Sequence, residues 1–109
     1  TVFTVITQAA LNVALTPFAI PTLTAPFVLI QPQSQTVTEG TTVNLTVAAS
    51  GTAPLSYQWT KNGTEIPGAV LAKYRTPPVT AQDDGSLFAV TVSNPGGSVT
   101  SRSATLFLK

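Results

Sequence analysis

The stretch Leu55-Ser56-Tyr57-Gln58-Trp59-Thr60-Lys61-Asn62-Gly63 decides the fold. Leu55, Tyr57 and Trp59 alternate with polar neighbours, which sets the three on one face of a strand. Trp59 is the only tryptophan in the chain. Asn62-Gly63 supplies two residues that tolerate positive φ, as a tight hairpin turn requires. The run therefore predicts a strand with its apolar face inward, a turn, and a short partner strand around Glu65-Ile66.

The same period continues outward from this hairpin. Before it, Val43, Leu45, Val47 and Ala49 share one parity, and Asn44, Thr46 and Ala48 the other. After it, Phe88, Val90 and Val92 alternate through a strand predicted from Leu87 to Ser93. Leu71 to Thr76 reads as a strand with Ala72 and Tyr74 inward. Ser98 to Leu108 reads as the last strand, with Ala104, Leu106 and Leu108 inward and Phe107 outward. Phe27 to Ile30 opens the set, is broken at Pro32, and resumes at Thr36-Val37-Thr38. Short strands between glycine and proline turns, with no helical period, predict an all-β sandwich.

The chain has 109 residues, enough for one small β domain. Only 8% of residues are charged, against roughly 25% in a typical soluble domain. The net charge of +1 gives no footprint for a nucleic-acid partner. There is no Cys, His or Met, which excludes disulfides, thiolate chemistry and zinc–thiolate sites. The lack of an initiating Met reads as a processed chain or an excised piece. A surface rich in Thr, Ser and Asn and poor in Lys reads as extracellular or cell-surface.

Charge is unevenly placed. No Asp, Glu, Lys or Arg precedes Glu39. Within residues 1–26, Phe3, Val5, Ala9, Leu11, Val13 and Leu15 share one parity, and Thr4, Gln8, Asn12 and Thr16 the other. This predicts an extended segment, with a helix through Val2, Val5, Ile6, Ala9 and Val13 as the competing reading. Pro17, Pro21 and Pro26 interrupt any apolar run long enough to span a membrane. The expected division is an uncharged extended segment over 1–26 and a sandwich over 27–109.

From Phe27 to Lys109 the chain resembles the immunoglobulin-like modules of secreted and surface proteins of bacteria. The matching stretches are Pro32, Thr38-Glu39-Gly40-Thr41-Thr42-Val43-Asn44-Leu45, Tyr57-Gln58-Trp59-Thr60-Lys61-Asn62-Gly63, Ile66-Pro67-Gly68-Ala69, and Asp83-Asp84-Gly85 through Val92-Ser93-Asn94. The resemblance implies a Greek-key immunoglobulin-like β-sandwich. It implies that Val47 and Val90 stand where antibody-type domains carry the intersheet disulfide, beneath Trp59. It further implies that Phe88 stands where the family has a tyrosine whose hydroxyl bonds to backbone. Val47, Trp59, Phe88 and Val90 are thus the expected core. Loss of a native disulfide costs about 2–5 kcal/mol in a small secreted domain, which apolar contacts must offset.

Candidate chemistry is sparse. Asp83-Asp84 is the only adjacent acidic pair, too few oxygens for calcium, and reads as a turn in which one Asp caps backbone amides. Serines and threonines have no His beside which to act as nucleophiles. The chain therefore reads as no enzyme and without a cofactor. Asn44-Leu45-Thr46 and Asn62-Gly63-Thr64 are formal glycosylation acceptors, although Asn62 has its own part in the turn.

An uncharged β-rich tail aggregates unless something covers it. The expectation is a structural subunit of an extracellular filament or pilus-like fibre, polymerising as residues 1–26 donate a strand to a neighbouring copy. Phe3, Val5, Leu11, Val13, Leu15, Phe18, Ile20 and outward Phe107 are the expected subunit contacts. The alternative is a spacer or adhesion module of a larger surface protein, meeting a glycan or cell surface.

Overall fold

A computed structural model describes residues 22–109, which form ten strands and one 3-10 turn. The strands are β1 (Phe27–Ile30), β2 (Gln35–Val37), β3 (Asn44–Thr46), β4 (Ala48–Ser50), β5 (Ser56–Lys61), β6 (Thr64–Glu65), β7 (Lys73–Arg75), β8 (Ser86–Asn94), β9 (Gly97–Thr100) and β10 (Ala104–Leu108). The 3-10 turn spans Ala81–Asp83. One layer has the order β2-β10-β8-β5-β6, with β9 also paired to β8. The other is built from the pairs β1-β4 and β3-β7. The fold is all-β and immunoglobulin-like.

The spine is the antiparallel pair β5–β8, in register from Ser56 opposite Ser93 to Lys61 opposite Phe88. Trp59 faces Val90 in this ladder, and both are fully buried. The core cluster draws Val43, Leu45 and Val47 from one layer and Trp59, Phe88, Val90, Ala104 and Leu106 from the other. The predicted parities of the strands account for these faces. Tyr74 links the rings, with centroids 6.3 Å from Trp59 and 6.2 Å from Phe88. Tyr57, whose parity put it inward, is half-buried against the same cluster.

Trp59 also organises the chain that crosses over it. Its Nε1–H donates to the Leu71 carbonyl at 2.7 Å. Its backbone N–H donates to the Ala69 carbonyl at 3.0 Å, and its carbonyl accepts from Ile66 N–H at 2.9 Å. A buried indole left without a partner is costly, so this bond fixes where residues 66–71 lie. Asn62 and Gly63 take φ of 52° and 84°, the turn that their sequence predicts. Asn62 Oδ1 additionally accepts from Leu87 N–H at 2.9 Å.

The first strand changes layers at Pro32. Before it, β1 pairs antiparallel with β4; after it, β2 pairs parallel with β10. Pro32 is buried and has no N–H to give to a ladder, so the strand breaks there.

Three predicted elements need correction. The last strand is not continuous from Ser98 to Leu108 but interrupted at residues 101–103. Ser101 is the cause: its N–H donates to the Val90 carbonyl and its Oγ accepts from Val90 N–H, so its side chain takes a place in the ladder. The predicted strand Leu71 to Thr76 shortens to Lys73–Arg75, because the Leu71 carbonyl is committed to the indole. The strand through Val43 to Ala49 divides at Val47, whose N–H donates to the Ala72 carbonyl while the next residues turn to pair with β1.

Candidate assembly interface

Two features stand out among the described residues: the pole where the chain enters the sandwich, and the free edge of β1. The pole is built from three segments far apart in sequence. Thr24 N–H donates to Thr52 Oγ1 at 2.8 Å, and Thr52 N–H donates back to the Thr24 carbonyl at 3.1 Å. Asn94 Nδ2 donates to the Thr24 carbonyl at 2.7 Å and to the Thr52 carbonyl at 3.0 Å. Asn94 Oδ1 in turn accepts from Gly96 N–H at 2.8 Å, which holds the amide in this orientation.

Glycines let the backbones come this close. A methyl group on Gly51 would sit 2.9 Å from Asn94 Nδ2 and 3.0 Å from Pro26 Cα, and one on Gly96 would sit 3.1 Å from Ala25 N. Pro26 is buried in the slot. Thr24, Ala25 and Pro26, which the sequence reading assigns to the extended segment, are therefore fastened to the two loops of this pole.

The edge of β1 is apolar and exposed. Phe27, Leu29 and Ile30 are 47%, 61% and 60% exposed, and Leu23 just before them is 48% exposed. Val28 packs against the core. The pairing with β4 slips between Val28 and Ile30, a bulge that turns both Leu29 and Ile30 outward. Other edges are protected. β7 exposes Lys73 and Arg75, β6 is two residues long and ends in Glu65, and Gln35 Nε2 bridges β2 to the Asn44 carbonyl at 2.9 Å. The outer side of β9 shows only glycine, serine and threonine as exposed residues.

Asp83 and Asp84 both serve as caps. Asp83 Oδ2 accepts from Thr80 N–H at 2.7 Å, and its Oδ1 pairs with Lys61 Nζ. Asp84 Oδ1 accepts from Leu108 N–H at 2.9 Å, which ties the turn to the last strand. The Lys61 ammonium, then the Thr80 amide, hold the Asp83 carboxyl below its ordinary value of 3.8, against a smaller opposing effect of burial. Unfolding therefore lets Asp83 take up a proton more readily. The stability this group contributes is present above the ordinary carboxylate value and is lost as pH falls through the lower folded value. Asp83→Asn is expected to flatten the fall of the urea midpoint below about pH 4 and to cost about 1 kcal/mol at pH 7. Parallel acid profiles for wild type and variant would refute this role.

A cavity of about 70 Å³ lies beneath Lys61 and Asp83, lined by Tyr74, Phe88 and Leu106. It is far below the roughly 300–1,000 Å³ of a small-molecule site. Among the described residues no three His, Cys, Asp or Glu gather into a metal site, and no helix is long and apolar enough to cross a membrane.

Of the expected contact residues, Phe3, Val5, Leu11, Val13, Leu15, Phe18 and Ile20 lie outside the described residues. Phe107 is 48% exposed on β10, beside Thr36 of β2, and is not brought together with the β1 patch. Asn44 is exposed on β3 opposite Arg75, and Asn62 is exposed in its turn. The role of Asn94 was missed in the sequence; the only signal was an Asn two residues before a Gly-Gly pair.

The immunoglobulin domain model matches residues 25–108. The chain is 45% identical over 62 residues to the decoration protein of Escherichia phage T5, covering 56% of this chain and 37% of that protein. It thus spans little more than a third of that relative. Among solved structures, an I-band fragment of titin is 26% identical with a TM-score of 0.70, covering 80% of this chain and 33% of that one. Tandem immunoglobulin repeats of Dlar are 29% identical with a TM-score of 0.67, covering 78% and 48%. With its sandwich, its pole and its family match together, the chain belongs to the immunoglobulin domain family.

Proposed function

We propose that the chain is a structural accessory module of a larger surface assembly, a sandwich displayed outward and held in place by its uncharged N-terminal segment. The observation that carries this reading is the 45% identity to a phage decoration protein. A decorating module needs a stable body, an attachment element and a firm joint between them. The sandwich is the body. Residues 1–21, without charge and alternating in the first part, suit attachment by adding a strand to a neighbouring subunit. The clamp of Thr24 by Thr52 and Asn94 suits the joint. The assembly is a virus particle or an extracellular fibre, and no enzymatic step is part of the reading.

The test is density-gradient sedimentation from producing cells of the full chain and of a chain lacking residues 1–21. The full chain is expected in the fast-sedimenting particle fraction and the shortened chain at the top of the gradient. Both chains at the top would overturn the reading. A second reading, one module of a multi-domain surface protein, is favoured by the chain's likeness to tandem immunoglobulin structures such as those of titin and Dlar, at 26% and 29% identity.

A further inference from the structure

We infer that the free edge of β1 is the acceptor for the N-terminal segment of a second copy of this chain. The inference rests on the attachment reading above and names the surface that receives the strand. Phe27, Leu29 and Ile30 form an exposed apolar patch on a strand that pairs on one side only. Such an edge presents unpaired N–H and C=O groups to any extended chain of matching character. The sandwich's other edges carry Lys73, Arg75 or Glu65, are bridged by Gln35, or present glycine and hydroxyl residues. Among the described residues, β1 combines an open ladder with three exposed apolar side chains within the strand, whereas the exposed Val70 and Leu71 precede the β7 edge, whose strand carries Lys73 and Arg75.

The occupant is argued from the chain that precedes the described residues. Its 21 residues contain no charge, and Phe3, Val5, Ala9, Leu11, Val13 and Leu15 share one parity. Thirteen residues at about 3.3 Å each reach roughly 43 Å, whereas the four residues of β1 need only about 13 Å. The segment is thus long enough to lie along the edge of another molecule while its own end stays fastened at Thr24. Pro26 and Pro32 flank the acceptor and lack N–H groups, so the ladder is confined to the residues between them. The bulge at Leu29 shortens it further. Burial of Phe27, Leu29 and Ile30 against alternate donor side chains therefore carries much of the contact.

The test uses the full chain in three forms: wild type, Leu29→Lys and, on the opposite layer, Phe107→Lys. Both substituted positions are exposed, so the sandwich is preserved. Sedimentation velocity over a concentration series reads association, and amide exchange reads protection at residues 28–30. Wild type and Phe107→Lys are expected to associate alike. Leu29→Lys is expected to associate about tenfold or more weakly, since an unpaired ammonium would have to be buried, and to lose the protection. Equal association of all three would overturn the acceptor and leave the attachment reading standing. A wild type that stays monomeric would also overturn it, whether the β1 amides exchange freely or are protected by the chain's own segment; the particle sedimentation above then judges attachment separately.

Discussion

Trp59→Ala is expected to remove the cooperative thermal transition of the domain. The indole is fully buried between two layers, in contact distance of Tyr74 and opposite Val90. Truncating a buried Trp to Ala costs about 3–5 kcal/mol through lost transfer energy and the cavity left behind. The Leu71 carbonyl, which now accepts from Nε1, would also lose its partner and with it the hold on residues 66–71. A domain of this size has on the order of 4–13 kcal/mol in total. The variant should therefore be largely unfolded near body temperature, or melt at least about 15 °C lower. Circular dichroism on heating checks this. A melting temperature within about 5 °C of wild type would refute the central place of the tryptophan. Trp59→Phe keeps one ring in the core but loses the second ring and the N–H, and is expected to cost less than Trp59→Ala.

Gly51→Val is the second large effect. Gly51 has φ of +145°, a region that a β-branched residue enters only with strain of about 1–3 kcal/mol. Its added Cβ would press on Asn94 Nδ2 and on Pro26 Cα. Moving Asn94 sacrifices its bonds to the Thr24 and Thr52 carbonyls. The expected result is a melting temperature lower by about 10 °C or more, with loss of exchange protection at the Thr24 and Thr52 amides. Gly68→Ala is the control, since Gly68 has φ of +79° but nothing near its Cβ position. It is expected to cost about 1 kcal/mol of strain and to leave both amides protected. Equal effects of the two variants would mean that the pole is held by backbone strain alone and not by close packing of the entering chain.

The sandwich was legible in the sequence, and the reason is local. Alternation with period two states which face a side chain takes before its neighbours are known. Leu45 on β3 with Val43 and Val47 flanking it, and Phe88, Val90 and Val92 on β8, could be assigned by parity, and all six are buried. The turn at Asn62-Gly63 was legible because positive φ is a property of the residues themselves. Asp83 could be read as a cap, but its pairing with Lys61 could not, since that contact spans 22 positions. The division of the last strand was hidden for a similar reason: whether Ser101 continues a ladder or replaces part of it depends on where Val90 lies.

The sequence by itself determined the class of fold, the inward faces of the strands, the tryptophan at the centre and the uncharged character of the N-terminal third. Each follows from residue type and spacing along the chain. Only the tertiary structure decided that Thr24 is clamped between Thr52 and Asn94, and that β1 is left with an open apolar edge while charges and a side-chain bridge protect other edges. An edge is open or closed according to which strands pair, and a clamp exists only when loops 28 and 70 positions apart meet. Both are consequences of chain closure over long separations, which periodicity does not encode.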